Sequence, residues 1–270
     1  VSSGVLGVVF ALGQHDLKRL LAYHSIENIG IITIGIGLAM VGRTLERPDF
    51  VLLGMAGALL HVWNHGLFKS LLFLSAGAVI HATHTREIDQ LGGLAKLMPR
   101  TALYFAVGAA AICGLPPLNG FVSELLIYLG LFHSLNSGTG LTWTAAAFAV
   151  PALALIGALA VTCFVKAFGA EFLGNARSEH ARHAHEAALT MTGPMLALVG
   201  FCLAIGLAPL LVAPMLEHGI RAWEPAAFSS GQELTMLAPL GWLTIAGAAL
   251  IVLIVLGSFV LARRLGRCGV

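Results

Sequence analysis

From Ala145 to Val165 the chain runs for 21 residues without a charged side chain. That is the length an α-helix needs to cross a hydrocarbon core of about 30 Å. The run is apolar on every face, whereas a strand of a transmembrane barrel alternates apolar and polar at every second residue. With no water to bond to, the backbone of such a run must satisfy its own hydrogen bonds, and a helix does so. Comparable stretches predict an all-α polytopic membrane bundle of about seven spans. A short helix at 1–14 is followed by spans at 23–42, 51–81, 101–133, 143–173, 190–213 and 239–262. Composition agrees, since 10% of the residues are charged against roughly a quarter in a soluble domain. The chain opens on Val1, without an initiator methionine and inside an apolar run, and therefore reads as a fragment cut within its first helix.

Several classes of function fall away. A net charge of +2, with basic residues scattered singly or in pairs, does not make a nucleic-acid surface. Cys113, Cys163, Cys202 and Cys268 have no C-x-x-C spacing, so they read as small apolar residues rather than disulfide or iron–sulfur ligands. No cofactor, metal or redox centre is expected in the chain itself. The stretch from Arg177 to Glu186, with His180, His183 and His185, reads as a solvated loop.

The span at 101–133 is interrupted by Gly114-Leu115-Pro116-Pro117-Leu118-Asn119-Gly120. Adjacent prolines remove two backbone donors and disfavour helix before them. The result is either a hairpin of two short helices or one crossing with an unwound centre, with Pro116, Pro117 and Gly120 marking the break. Positive charge separates the two. As one crossing, ten Lys and Arg collect on one side and three (Arg43, Arg47, Arg221) on the other; as a hairpin the division is six against seven. The positive-inside bias selects the broken crossing and puts the ten-residue side in the cytoplasm. Arms of about 15 and 13 residues are also too short to span alone at 1.5 Å per residue. Irregular backbone at membrane depth persists where it is buried in protein or lines a watery cavity, as at transporter ion sites.

The ten and three account for all but two of the fifteen Lys and Arg, leaving Lys69 and Lys166 inside spans. A charge near the bilayer centre costs about 2.5–3.5 kcal/mol on insertion scales, so such groups face a bundle interior and mark ion pathways. His61, His65 and Lys69 are spaced i, i+4, i+8 on one helix face, about 6 Å apart along the axis. One or two waters bridge that gap, and groups that each hold or release a proton are what a relay requires. The alternative is packing, with the histidines bonded to neighbouring helices. A metal site would need a third ligand that the local sequence does not supply. Glu124, just after the break, reads as a proton acceptor, a role compatible with a carboxylate capping the second arm. Lys166 reads either as a relay member or as a lysine snorkelling to the interface. Glu27, one turn into its expected helix, reads either as an intake point or as a cap.

These residues carry a resemblance. Asp16 to Tyr23, the H-x3-H-x3-K face, Gly92-Gly93-Leu94 and Leu115 to Phe121 resemble the antiporter-like membrane subunits of respiratory complex I and its hydrogenase relatives. Ser25 to Asn28, His81 to Arg86, Phe121 to Glu124 and Cys163 to Phe168 are similar to the large membrane subunits of hydrogenase 4 and formate hydrogenlyase. The resemblance weakens after about residue 213. It implies two inverted five-helix repeats, each with a broken helix. The second, N-terminally truncated, occupies 1–173, and a loop with accessory helices occupies 174–270. It further implies that Lys69, His61 and His65 belong to a central hydrophilic axis, and that Glu124 ends the outward half-channel.

The function so implied is proton translocation through a Lys/His/Glu water relay, inside a respiratory or hydrogenase-type oxidoreductase complex of the cytoplasmic (inner) membrane. The lipid bilayer and other membrane and peripheral subunits are the expected partners. A subunit of a multi-subunit Na⁺/H⁺ antiporter and a non-conducting anchor for a peripheral hydrogenase module are the alternatives. As a fragment, the chain is expected to hold half a conduit.

Overall fold

The computed structural model describes residues 1–137 and 140–267, and Cys268 lies outside them. The described residues form helices joined by short loops and turns, with no strand among them. The larger helices are α1 (Ser2–Leu12), α2 (Leu17–Thr44) and α3 (Pro48–Thr83). After the short α4 (Leu94–Leu97) come α5 (Pro99–Ile112), α6 (Asn119–Ser137) and α7 (Leu141–Phe172). The short α8 (Glu179–Arg182) leads to α9 (Leu189–Leu207), α10 (Ala213–Trp223), the short α11 (Leu234–Leu237) and α12 (Leu240–Arg267). Five of them, α2, α3, α7, α9 and α12, are long and apolar enough to cross a bilayer.

Helix α3 is the hub, packing on α2, α5, α6 and α9. Its partners settle the path of the broken segment. Gly108 of α5 lies on Leu72 of α3, Asn119 bonds to Asn64, Ser123 to His61, Gly57 packs on Ile127 and Gly130 on Leu53. Residue numbers rise through α5 and α6 as they fall along α3, so the two arms together make one traverse antiparallel to α3. They touch each other little. The structure therefore has the single broken crossing. Its first arm has 14 residues, as expected, but the second has 19 rather than about 13. The difference lies at both ends: the helix already begins at Asn119, and the mostly polar Ser134 to Ser137 continue it past the expected span. Hydropathy locates the membrane boundary, not the helix end.

The same effect moves two other boundaries. Helix α2 begins at Leu17, not near 23, because the Asp16 side chain accepts from the Arg19 amide at 3.0 Å and caps it. The span expected at 190–213 stops at Leu207, where Pro209 opens a 3₁₀ turn and α10 follows as a separate amphipathic helix burying Ala213, Leu216 and Ile220.

The two ends of the bundle differ in charge. At one, Asp16 pairs with Arg86 at 2.8 Å, and Leu17 N and Ile88 N bond to Arg86 O and His15 O. There Glu186 also caps α5, accepting from Arg100 N at 2.7 Å and Thr101 Oγ1 at 2.6 Å. At the other end Arg43 pairs with Glu224 at 2.5 Å and Arg47 with Asp49 at 2.7 Å. We call these the basic end and the opposite end.

Helix α9 lies directly against the break. A Cβ on Gly206 would stand 2.1 Å from Pro117 O, whereas one on Gly200 would meet nothing within 4 Å. Gly206→Ala is expected to destabilise the protein by about 1–3 kcal/mol through overpacking, read as a lower thermal midpoint in detergent, with Gly200→Ala as a neutral control. A Gly206→Ala midpoint at or above that of the parent would contradict this packing.

Candidate functional site

A polar file runs through the bundle where α2, α3 and α6 meet. Helix α2 contributes His24, Glu27 and Asn28, at i, i+3, i+4 and therefore on one face; all three are buried. Helix α3 turns His61, Asn64 and Lys69 towards the same interior, also buried, while His65 is half-buried. Two contacts fix the register of α2 against α3. Lys69 Nζ donates to Leu21 O, and the His61 Nε2 edge meets Asn28 Oδ1 at 3.0 Å. His24 Nδ1 bonds to the Glu27 carboxylate, and its ring lies on Phe164 of α7 at 4.6 Å between centroids. Lys69 Nζ also sits 5.4 Å from the Phe73 ring centre. Glu27 lies within electrostatic reach of both Lys69 and Glu124.

The break is tied to this file by side chains of α3. Asn64 Nδ2 donates to Asn119 O at 2.7 Å, and Asn119 Nδ2 returns a bond to Asn64 Oδ1 at 3.1 Å. The Ser123 hydroxyl lies 2.9 Å from Gly120 O, 3.1 Å from Asn64 Nδ2 and 2.9 Å from His61 Nδ1. Gly114 takes φ +62°, which a residue with a side chain adopts only under strain.

Counting donors shows what this arrangement does. Asn28 Nδ2 is committed to His24 O at 2.8 Å, so Asn28 Oδ1 accepts from His61 Nε2–H. The hydroxyl of Ser123 has one proton and two acceptors within reach, Gly120 O and His61 Nδ1. With neutral His61 the hydroxyl donates to Nδ1. With His61 protonated, Nδ1–H donates to Ser123 and the hydroxyl turns to Gly120 O. The charge state of His61 is thus passed to the first turn of α6 by one hydroxyl rotation.

The expected site residues separate into groups. His61, Lys69 and Glu27 are brought together, and His65 stands between the first two with its Nε2 buried and without a partner among the described residues. Glu124 sits on the next face of α6 from Ser123. Its carboxylate lies over Gly114, in a cavity of about 380 Å³ that Tyr128 and Gly157 help to line, and so borders the file from the far side of the break.

Two expectations are corrected. Glu27 is neither near a helix start nor near water: α2 begins ten residues earlier, and Glu27 is 1% exposed. Lys166 is exposed on α7 and donates to Leu12 O at 2.9 Å and Gln14 O at 3.3 Å, satisfying carbonyls at the end of α1. Not being on the inner face of α7, it does not join the file. Sequence reasoning passed over His24, Asn28, Asn64, Asn119 and Ser123. The signal for His24 and Asn28 was their i−3 and i+1 placement around Glu27, and for Ser123 its place one turn past the break. Among the described residues no group of His, Cys, Asp and Glu is arranged to hold a metal.

Because Ser123 serves three partners, Ser123→Ala removes hydrogen bonds from His61 and Asn64 together. A loss of about 0.5–2 kcal/mol is expected, measured by denaturation in detergent. Cys163→Ala, which removes a buried thiol outside this network, is expected to leave the Asn64–Asn119 pairing intact.

Known proteins share this architecture. Hydrogenase-4 component B of Escherichia coli is 44% identical over 86% of the chain, and formate hydrogenlyase subunit 3 of the same organism is 42% identical over 86%. The chain spans 35% and 38% of those relatives. In the Mrp complex of Dietzia sp. DQ12-45-1b, a subunit superimposes on 84% of the chain with a TM-score of 0.65 and 25% identity, 45% of that subunit being covered. Residues 1–150 match the family described as NADH:quinone oxidoreductase/Mrp antiporter, TM. This match takes in more than half of the chain, the file and the whole broken crossing, and the chain is a multi-pass membrane protein of that family.

Proposed function

We propose that the chain carries part of a proton path in an antiporter-like subunit of a hydrogenase- or respiratory-type membrane complex. The observation that supports this most is the bridge Asn28–His61–Ser123, which joins three helices by hydrogen bonds at membrane depth. Packing alone is served more cheaply by apolar residues, since a buried polar group gains only when every partner is present. In this reading protons hop by way of water between Lys69, His65, His61 and Glu27. Glu124 takes them up across the break and releases them towards the opposite end, while the Ser123 hydroxyl reports the state of His61 to α6.

The orientation follows the basic side chains. Arg86, Arg100 and Arg177 support a cytoplasmic position for the basic end, in an inner-membrane protein. Partner membrane and peripheral subunits would carry the electron chemistry, for which the chain has no expected centre. Residues 1–173 would be one antiporter-like repeat and 174–270 its accessory helices, so that the complete conduit involves more than this segment.

In the complete complex reconstituted in liposomes, Lys69→Ala and Glu124→Gln are each expected to lower proton translocation about tenfold or more, the scale of losing a proton-transfer group. Lys166→Ala, off the file, should stay within about twofold. Normal pumping by the Lys69→Ala, Glu124→Gln double variant would refute the proposal. Pumping that requires sodium would replace the proton by Na⁺.

A further inference from the structure

Glu171 is the penultimate residue of α7, and it is 0% exposed. Neither carboxyl oxygen has a hydrogen-bond partner among the described residues. A carboxyl group withstands such burial only when a proton or hydrating water satisfies it. Nothing in the packing of α7 requires an acid here, because the neighbouring buried positions are filled by Phe172 and Ala167.

Its position relates it to the file. The buried stripe of α7 runs through Ala160, Cys163, Phe164, Ala167 and Glu171. Near the top of this stripe the Phe164 ring packs on His24, and Cys163 lies within electrostatic reach of Lys69 and Glu27. From Cys163 to Glu171 is eight residues, or about 12 Å along the axis, towards the basic end. Between them on that stripe lie Ala167 and Phe164, whose ring is turned onto His24.

At the basic end the 3₁₀ turn Ile88–Gln90 packs against α7. Its Asp89 carboxylate is exposed and bonded to exposed His15 at 2.6 Å. Arg177 ties the end of α7 to the same turn, donating to Ala170 O and lying 3.5 Å from Ile88 O and Asp89 O. Of the other charged groups on elements packed here, Lys166 is bonded to the end of α1, Asp16 is paired with Arg86, and Lys18, Arg19, Glu87 and Lys96 are at least partly exposed. None is bonded to Glu171.

We propose that Glu171 is the proton-loading residue on the cytoplasmic side, taking protons collected at the His15–Asp89 pair and passing them through a short water file to Lys69 and Glu27. The inference rests on the proton-path reading above. The transfer is a proton hop, with the carboxyl group returning to its starting state after each passage.

The test uses the complete complex in vesicles with the cytoplasmic face outward, comparing Glu171→Gln, Glu171→Asp and Lys69→Ala. Glu171→Gln should lower translocation about tenfold or more. Glu171→Asp should restore it while moving the midpoint of its dependence on cytoplasmic-side pH, and the dependence on lumenal pH should not change. Translocation by Glu171→Gln within about twofold of the parent overturns the assignment, as does a Glu171→Asp profile that coincides with the parental one. If Glu171→Gln does not assemble, infrared difference spectra of the parent and Glu171→Asp decide. A carboxyl C=O band that responds to cytoplasmic-side pH and shifts in Glu171→Asp supports the proposal, and its absence overturns it. Loss of pumping in Lys69→Ala with normal pumping in Glu171→Gln defeats this assignment alone, whereas normal pumping in Lys69→Ala defeats the path itself.

Discussion

A polypeptide that stops being helical at membrane depth exposes amide and carbonyl groups that lipid cannot satisfy. In this protein the break falls at Gly114 to Leu118, where Gly114 N, Leu115 N and Leu118 N bond to Ala111 O, Ala110 O and Leu115 O, and the reciprocal pair Asn64–Asn119 pins the start of α6 to α3. Much else follows from that pair. It fixes the height of α6 against α3, and hence which α6 residue faces His61. It also requires a helix without side-chain bulk on the far side of the break, and α9 supplies it with Gly206 against Pro117 O.

Once α6 is held in this register, Ser123 is shared between the break and the file. The same hydroxyl that lies within bonding distance of Gly120 O lies within bonding distance of His61 Nδ1. The geometry therefore joins two features that would otherwise be independent, the irregular backbone and the row of titratable side chains. Glu124, one residue on, is carried round to the other face and into the cavity beside α7. The break thus stands between two ionisable environments, with Glu27 near enough to sense both Lys69 and Glu124.

Much of this was legible from residue types and spacing. The charge-free runs gave the helices, the basic residues gave the single broken crossing, and the i, i+4, i+8 spacing gave the α3 face. What stayed hidden has physical reasons. Helix ends outside the membrane are set by caps and polar continuations, so the Asp16 cap and the polar tail of α6 were not visible to hydropathy. Glu27 was consequently placed near water when it is deep in the bundle. Lys166 shows the converse, since an ionisable residue inside an apolar run lies on the outer face and serves the backbone of α1. Asn28, Asn64 and Ser123 are ordinary polar residues whose role exists only through partners distant in sequence. Glu171 is buried near the end of α7, the helix against which the turn Ile88–Gln90 packs, a tertiary arrangement that local sequence does not encode.

The account stands or falls on His61 as the junction of α2, α3 and α6. The most direct measurement is the number of protons translocated per electron by the complete complex in liposomes carrying His61→Phe, which keeps a ring of similar size but removes both hydrogen bonds. The account predicts an assembled complex whose proton yield falls about tenfold or more. An assembled His61→Phe complex with the parental proton yield would contradict it.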